Sequence, residues 1–169
     1  PMTRGLGSSA ACIVGGLIAA NILSGKNYSK EELAQKAAKL EDHPDNSNPA
    51  IFGDMIISAM YSEGMKYVKL NVPKNILFAV MIPEFTLSTK KARAVLPDSY
   101  TRSQSIFNSS RTGLMVASIM TGNLDNLRVA MDDAIHQPYR KSLIRGYDEV
   151  FEVARANGSI AEYLSGAGP

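Results

Sequence analysis

The string RGLGSSAACIVGG, residues 4–16, restricts the fold more than any other part of the chain. Two glycines flank Leu6, Ser8 and Ser9 follow, and a run of small and apolar residues begins. Ile13, Leu17, Ala20 and Leu23 recur at helical spacing, with Ile18 and Ile22 widening that face, so residues 8–23 are predicted to be helical. Small residues fill the remaining circumference, which predicts a helix packed on most sides, with Cys12 buried as a small apolar side chain rather than serving as a nucleophile. A helix that starts directly after a glycine loop presents unpaired N–H groups and the positive end of its dipole. Such an end binds phosphate: Gly5 and Gly7 let the backbone come close, and Ser8 and Ser9 add hydroxyls.

Three readings of this loop compete. A Walker A loop needs a lysine before its Ser/Thr, and there is none. The dinucleotide fingerprint G-x-G-x-x-G/A is formally met by Gly5, Gly7 and Ala10, yet no strand-like segment precedes it and no parallel-sheet alternation follows. A packed helix with a flexible N-terminus that binds nothing stays open at this point.

Composition narrows the classes. Apolar residues make up 45% of the 169 and charged residues 20%, the balance of a globular protein with a real core. A net charge of +2 is too small for a nucleic-acid footprint, so no nucleic-acid partner is expected. The lone Cys12 excludes an internal disulfide and fits a reducing compartment. No run approaches the ~18 apolar residues of a membrane span, and no signal segment is visible. The expectation is a cytoplasmic protein without a membrane partner. Pro1 in place of a methionine and the turn-forming SGAGP at residues 165–169 lead to the further expectation of an internal piece of a longer protein.

Downstream, Gly25 is placed for a left-handed C-cap, and Ser29 with Glu32 forms a capping box for a helix to about Leu40. EDHPDN, residues 41–46, gathers three acids, a histidine and an amide into a turn-rich loop, which reads equally well as solvated Asx turns. Met55–Tyr61 and residues 65–72 are predicted as a hairpin joined at Glu63 and Gly64, and residues 75–82, NILFAVMI, as a buried strand. Ser88 caps a short helix ending before Pro97, and helices follow over about 102–120, 124–135 and 139–156, the last stopped at Asn157 and Gly158. A domain seam is expected near Pro73, giving domains 1–72 and 73–169.

PMTRGLGSSAA resembles the phosphate loop of the GHMP kinases, the superfamily named for galacto-, homoserine, mevalonate and phosphomevalonate kinases, whose usual form is P-x-x-x-G-L-G-S-S-A. Thr3 and Arg4 stand where many members have glycine or alanine. EDHPDN is similar to the E-x-H-x-D-N segment of the homoserine kinases within that superfamily. LSTKKARAVLP, residues 87–97, resembles their S-T-x-x-A-R-x-x-L-P stretch, and QPYRKSLIRGYDE, residues 137–149, their E-P-Y-R-x-x-L-x-P-G-[FY] stretch, with Gln137 for the acid and Arg145 for the proline. SGAGP looks like the opening of the superfamily's last glycine motif.

The resemblance implies an α+β, two-layer GHMP kinase fold: an incomplete ribosomal protein S5 domain 2-like domain carrying the ATP site over 1–72, then a partial ferredoxin-like domain over 73–169. It implies transfer of the ATP γ-phosphoryl group to the hydroxyl of L-homoserine, a step of threonine biosynthesis. Arg4, Gly5, Leu6, Gly7, Ser8, Ser9 and Ala10 would cradle the nucleotide, and Ser9, with Ser8 a close rival, would hold Mg²⁺ with Glu41, a cation that takes few protein oxygens beside nucleotide phosphates. His43, Asp45, Asn46, Arg93 and Arg140 would bind substrate, the two arginines at its carboxylate through their bidentate guanidinium forks. Asp45, Asn46 and Arg140 form the implied catalytic set. Asp45 is either the base or the ligand of the substrate ammonium; an anion engaged by an ammonium is a poor base, which favours the second role. His136 is expected to be structural. Two alternatives stand beside this reading: another GHMP kinase of the mevalonate type, and a non-catalytic structural or interaction fragment. The isolated 169 residues are expected to lack kinase activity, and the resemblance leaves room for a homodimer.

Overall fold

Gly7 lies in the left-handed region (φ 71°, ψ 29°) and turns the chain into α1, Ser8–Ser24. The computed structural model describes residues 4–169; residues 1–3, which open the phosphate-loop string, lie outside the described residues. Two compact units divide the chain, one formed by Gly7–Val72 and the other by residues 4–6 with Pro73–Pro169. The boundary therefore falls inside the glycine loop as well as at Pro73.

In the Gly7–Val72 unit, α1 ends at Gly25, whose left-handed backbone (φ 65°) lets its N–H reach the Ile22 carbonyl at 3.3 Å. The predicted capping box is present: Ser29 Oγ accepts from Glu32 N at 3.2 Å, and Glu32 Oε2 accepts from Ser29 N at 2.8 Å. It starts α2, Lys30–Glu41, which buries the single face Leu33, Ala34, Ala37 and Ala38. Asp42, in the left-handed region at φ 66°, stops it. A short α3, Ser47–Phe52, packs against both helices and against β1.

The hairpin pairs β1, Met55–Tyr61, with β2, Gly64–Leu70, in antiparallel register from Met55 opposite Leu70 to Tyr61 opposite Gly64. Its turn is thus the two residues Ser62 and Glu63, and β2 begins and ends earlier than the sequence predicts. Gly64 makes this tight connection with a φ of 144°. Ala34, Ala38 and Met65 form the core under Ile51, Phe52 and Tyr67, and the Phe52 and Tyr67 rings stack at 4.5 Å. Asn48, fully buried, ties α3 to the hairpin by donating to Ser58 Oγ at 2.6 Å and contacting Met65 Sδ at 2.9 Å.

The α1 expectation needs correction. Only Ala10 and Val14 are buried, while Ile18, Ile22 and Leu23 face outward, Leu23 at 88% exposure. Cys12 is exposed as well. An all-round apolar sequence shows that a helix can be covered on every side; which sides are covered depends on elements elsewhere in the chain.

The other unit is helical. Ser88 caps α4, Thr89–Ala94, by accepting from Lys91 N at 3.2 Å. Thr101 and Gln104 form a second capping box at the start of α5, Arg102–Thr121, which ends at Gly122. The long helices expected over 124–135 and 139–156 are instead broken. A 3₁₀ turn leads into α6, Leu127–Ala130; α7 spans Gln137–Arg140 and α8 spans Tyr147–Ala156. Asp133 interrupts the first by claiming backbone N–H groups, and Pro138 suits a helix start, where its missing N–H is no loss. Gly146, at φ 78°, separates the remaining turns from α8.

Residues 75–82 form no strand among the described residues, and Leu77, Phe78 and Met81 are 92%, 64% and 72% exposed. An apolar run becomes a strand only when another strand takes up its N–H and C=O groups, and none does so here. The mixture of helices and a hairpin agrees with the expected α+β class.

Candidate active site

In the Gly7–Val72 unit, the N-cap of α1 is Gly7, which supplies no side-chain hydrogen bond to the first turn, so among the described residues the helix starts from a glycine turn without a side-chain cap. Ala10 is buried, Ser9 is exposed, and Ser8 is half-buried and engaged. A Cβ placed on Gly7 would lie 3.0 Å from Asn46 Oδ1 and 3.3 Å from Asn46 Cβ and Cγ. The EDHPDN loop is therefore pressed against the helix start with room for glycine alone.

Within that loop Asn46 Nδ2 donates to Asp45 Oδ2 at 3.3 Å, and Asp45 Oδ1 pairs with His43 Nδ1. Asp45 remains two-thirds exposed, able to meet a small cationic group. Glu41 is the last residue of α2, and its Oε2 is shielded from solvent with no hydrogen-bond partner among the described residues. A buried carboxylate oxygen left unpaired is costly, and a cation is what relieves it. This orphaned oxygen, five positions before Asn46, fits Mg²⁺, whose appetite for few protein oxygens asks for no larger acidic cluster.

In the second unit, residues 4–6 pack on the glycine-rich segment near residue 165. A Cβ on Gly5, at φ 63°, would stand 2.2 Å from the Ser165 carbonyl oxygen, and Ser165 Oγ donates to the Gly5 carbonyl at 2.8 Å. The Arg4 guanidinium donates to the carbonyls of Pro83 and Phe85, the latter at 2.7 Å. Arg4 thus has its side chain engaged with residues 83–85.

Arg140 closes α7. Its Nε donates to the Ala92 carbonyl at 3.1 Å, its Nη1 to the Gly166 carbonyl at 2.8 Å, and Nη1 also stands 3.3 Å from His136 Nδ1. Nη2 makes no hydrogen bond among the described residues, leaving its two N–H groups for an external anion. Burial, and then the nearby Arg93 cation, lower the Arg140 pKa, so the two guanidiniums share one electropositive region, with Arg93 exposed at α4.

The start of α7 is held by Asp133, which no motif singled out, and by Gln137, which stands in the QPYR string where the family pattern has an acid. Asp133 opposes its own burial with hydrogen bonds from Asn108 Nδ2 at 2.6 Å and from the N–H groups of Gln137 and His136 at 2.6 and 2.7 Å, and these hold its carboxyl below the ordinary range. Gln137 Oε1 accepts from Tyr147 Oη and Leu164 N, each at 2.9 Å, while its Nε2 donates to the Met131 carbonyl at 3.0 Å. An amide meets all three partners, whereas a carboxylate could not donate the third. Burial, then the charges of Asp148 and Asp133, push the Tyr147 phenol up to about 12. An Asp a few residues before a proline at a helix start was the available signal for the Asp133 tie.

Comparison with known proteins gives a consistent result. The family of GHMP kinases N terminal domains matches residues 1–54, and that of GHMP kinases C terminal domains matches residues 115–169. The chain is 48% identical over 168 residues to the homoserine kinase of Clostridium novyi, covering 99% of the chain and 56% of that protein. It is 47% identical over 169 residues to the homoserine kinase of Caldicellulosiruptor saccharolyticus, covering all of the chain and 55% of that protein. Among solved structures, the homoserine kinase of Cytophaga hutchinsonii superposes with a TM-score of 0.87 at 31% identity, covering the whole chain and 55% of that structure. The chain thus spans a little over half the length of the relatives it matches.

Proposed function

Because the chain belongs to the GHMP kinase family, we propose that the whole protein of which it is part phosphorylates the hydroxyl of L-homoserine with ATP. The observation that carries the reading is the contact of Asn46 with Gly7: the loop of the substrate motif lies against the uncapped, anion-attracting start of α1. The high identity to homoserine kinases supports homoserine over mevalonate or galactose.

The N–H groups of residues 5–10 bind the triphosphate, with Arg4 contributing backbone rather than guanidinium. Ser9 and Glu41, whose Oε2 is otherwise unpartnered, would hold Mg²⁺, which would supply charge neutralisation at the phosphate oxygens. Arg140, through Nη2, and Arg93 bind the substrate carboxylate, while Asp45, oriented by His43 and Asn46, takes the ammonium. Asn46 orients the hydroxyl. The new bond joins that oxygen to the γ-phosphorus as the bond to ADP breaks, and the hydroxyl proton leaves to phosphate or water. Positioning and charge supply most of such catalysis. Among the described residues no helix is long and apolar enough to cross a membrane; for a biosynthetic kinase of free amino acids we place the protein in the cytoplasm.

A coupled ADP-release assay on the whole protein, with homoserine, mevalonate and galactose compared at equal concentration, tests the proposal. Turnover with homoserine alone is expected. Turnover with either rival and none with homoserine would transfer the assignment to that branch of the family.

A further inference from the structure

Arg140 Nη1 stands between two acceptors, the Gly166 carbonyl and His136 Nδ1. A guanidinium has only donors, so at 3.3 Å the facing nitrogen must present a lone pair. A hydrogen bond there goes with the neutral tautomer whose proton is on Nε2, the nitrogen 3.9 Å from Asp133 Oδ2. Asp133 is itself locked by three hydrogen bonds from α5 and the start of α7, so the ring sits in a rigid frame.

We propose that His136 is a positioning residue that holds the Arg140 guanidinium for a substrate carboxylate only while its ring is neutral. A second proton would convert Nδ1 from acceptor to donor and set two cationic N–H groups against each other. Arg140 would keep its bonds to Ala92 and Gly166 yet rotate about them, misdirecting Nη2. The inference rests on the reading that Arg140 binds the homoserine carboxylate, and it adds a proton-dependent gate on that binding.

The surroundings permit this titration. His136 keeps 31% of its side chain exposed and lines a cleft with Arg111 from α5, Asp132 and Asp133 from the preceding loop, and Tyr163. Protons can therefore reach the ring. Burial depresses the His136 pKa below its ordinary value; Asp133 opposes that shift and Arg140 reinforces it. Arg93 acts at one remove, through Arg140.

The test uses the whole protein at saturating MgATP. His136→Asn keeps an acceptor near the Nδ1 position but cannot ionise; His136→Ala keeps neither. The KM for homoserine of the wild type relative to His136→Asn should be near unity at pH 8 and rise only as the pH is lowered well below 6.5, because burial depresses the ring's pKa, with kcat ratios unchanged. His136→Ala should show a raised KM at every pH. This ratio cancels every pH effect that the two proteins share. A ratio that stays flat, or one that moves through kcat, overturns the proposal. Long-range ¹H–¹⁵N spectra of the imidazole supply a readout that needs no turnover. The Nε2–H tautomer and a midpoint that rises on Arg140→Met support the coupling; an Nδ1–H tautomer or an unmoved midpoint defeats it. Absence of any homoserine turnover would instead defeat the functional reading, leaving the spectra to decide the His136–Arg140 coupling.

Discussion

Asn46 lies against the Cα of Gly7 so closely that a methyl group there would sit 3.0 Å from its Oδ1. The glycine loop and the EDHPDN loop are thus adjusted to each other by the absence of one side chain. Gly7→Ala adds that methyl at a φ of 71°, where an L-residue costs about 1–2 kcal/mol. Asn46 can yield by rotating, so kcat/KM of the whole protein should fall roughly tenfold with a modest loss of melting temperature. Equal kcat/KM for variant and wild type would separate Asn46 from the chemistry.

Gly5→Ala should be worse for folding. Its methyl would meet the Ser165 carbonyl at 2.2 Å, and backbone has no rotamer to yield with. We expect a destabilisation of about 3 kcal/mol or more by urea titration, larger than for Gly7→Ala. The reverse order would contradict the packing of residues 4–6 on the glycine segment.

Asp45→Asn distinguishes the two roles open to that carboxylate. As an ammonium ligand its loss raises KM for homoserine, by roughly ten- to a hundredfold for a charged hydrogen bond, with kcat little changed. A fall in kcat at constant KM would make Asp45 the base.

Stability should depend on pH through Asp133 and His136. Both have depressed pKa values in the fold. A depressed carboxyl contributes stability above its ordinary 3.8 that is lost as pH falls through the folded value. A histidine held neutral likewise contributes fully above about 6.5 and loses that contribution below it, as the unfolded chain takes up the proton first. Urea midpoints should therefore decline from pH 7 downward in two stages, with His136→Asn removing the upper stage. An unchanged upper stage in that variant would assign it elsewhere.

Asn48→Ala should cost about 1–3 kcal/mol, since it strips a fully buried amide from Ser58 and Met65. Thermal melts of the whole protein provide the check. A shift under a degree would mean the hairpin and α3 hold together without it.

Local signals carried much of this architecture. Ser29 with Glu32, Ser88 before α4, and Gly25 each act on backbone groups within a few positions, so they could be read directly from sequence. Residues 75–82 could not, because an apolar run does not say whether a neighbouring strand exists to pair with it. The breaks after Ala130 and Arg140 were hidden for a related reason. Asp133 is held by Asn108, 25 positions away, and no local propensity foretells that tie. At the candidate site, glycines and acids announced themselves by motif, whereas the use of Arg4 emerged only from its long-range partner Phe85 and that of His136 from the side-chain geometry around Arg140.

The hydroxyl of Ser165 reaches back 160 positions to the Gly5 carbonyl. A ribosome that has released residues 7–72 has released everything needed for three helices and a hairpin, but nothing for Gly5 to lean on. The front of the glycine loop must wait, unshaped, through most of the chain's synthesis. The turn at Gly5 is therefore completed only after residue 165 has been made, later in synthesis than the helix that follows the loop.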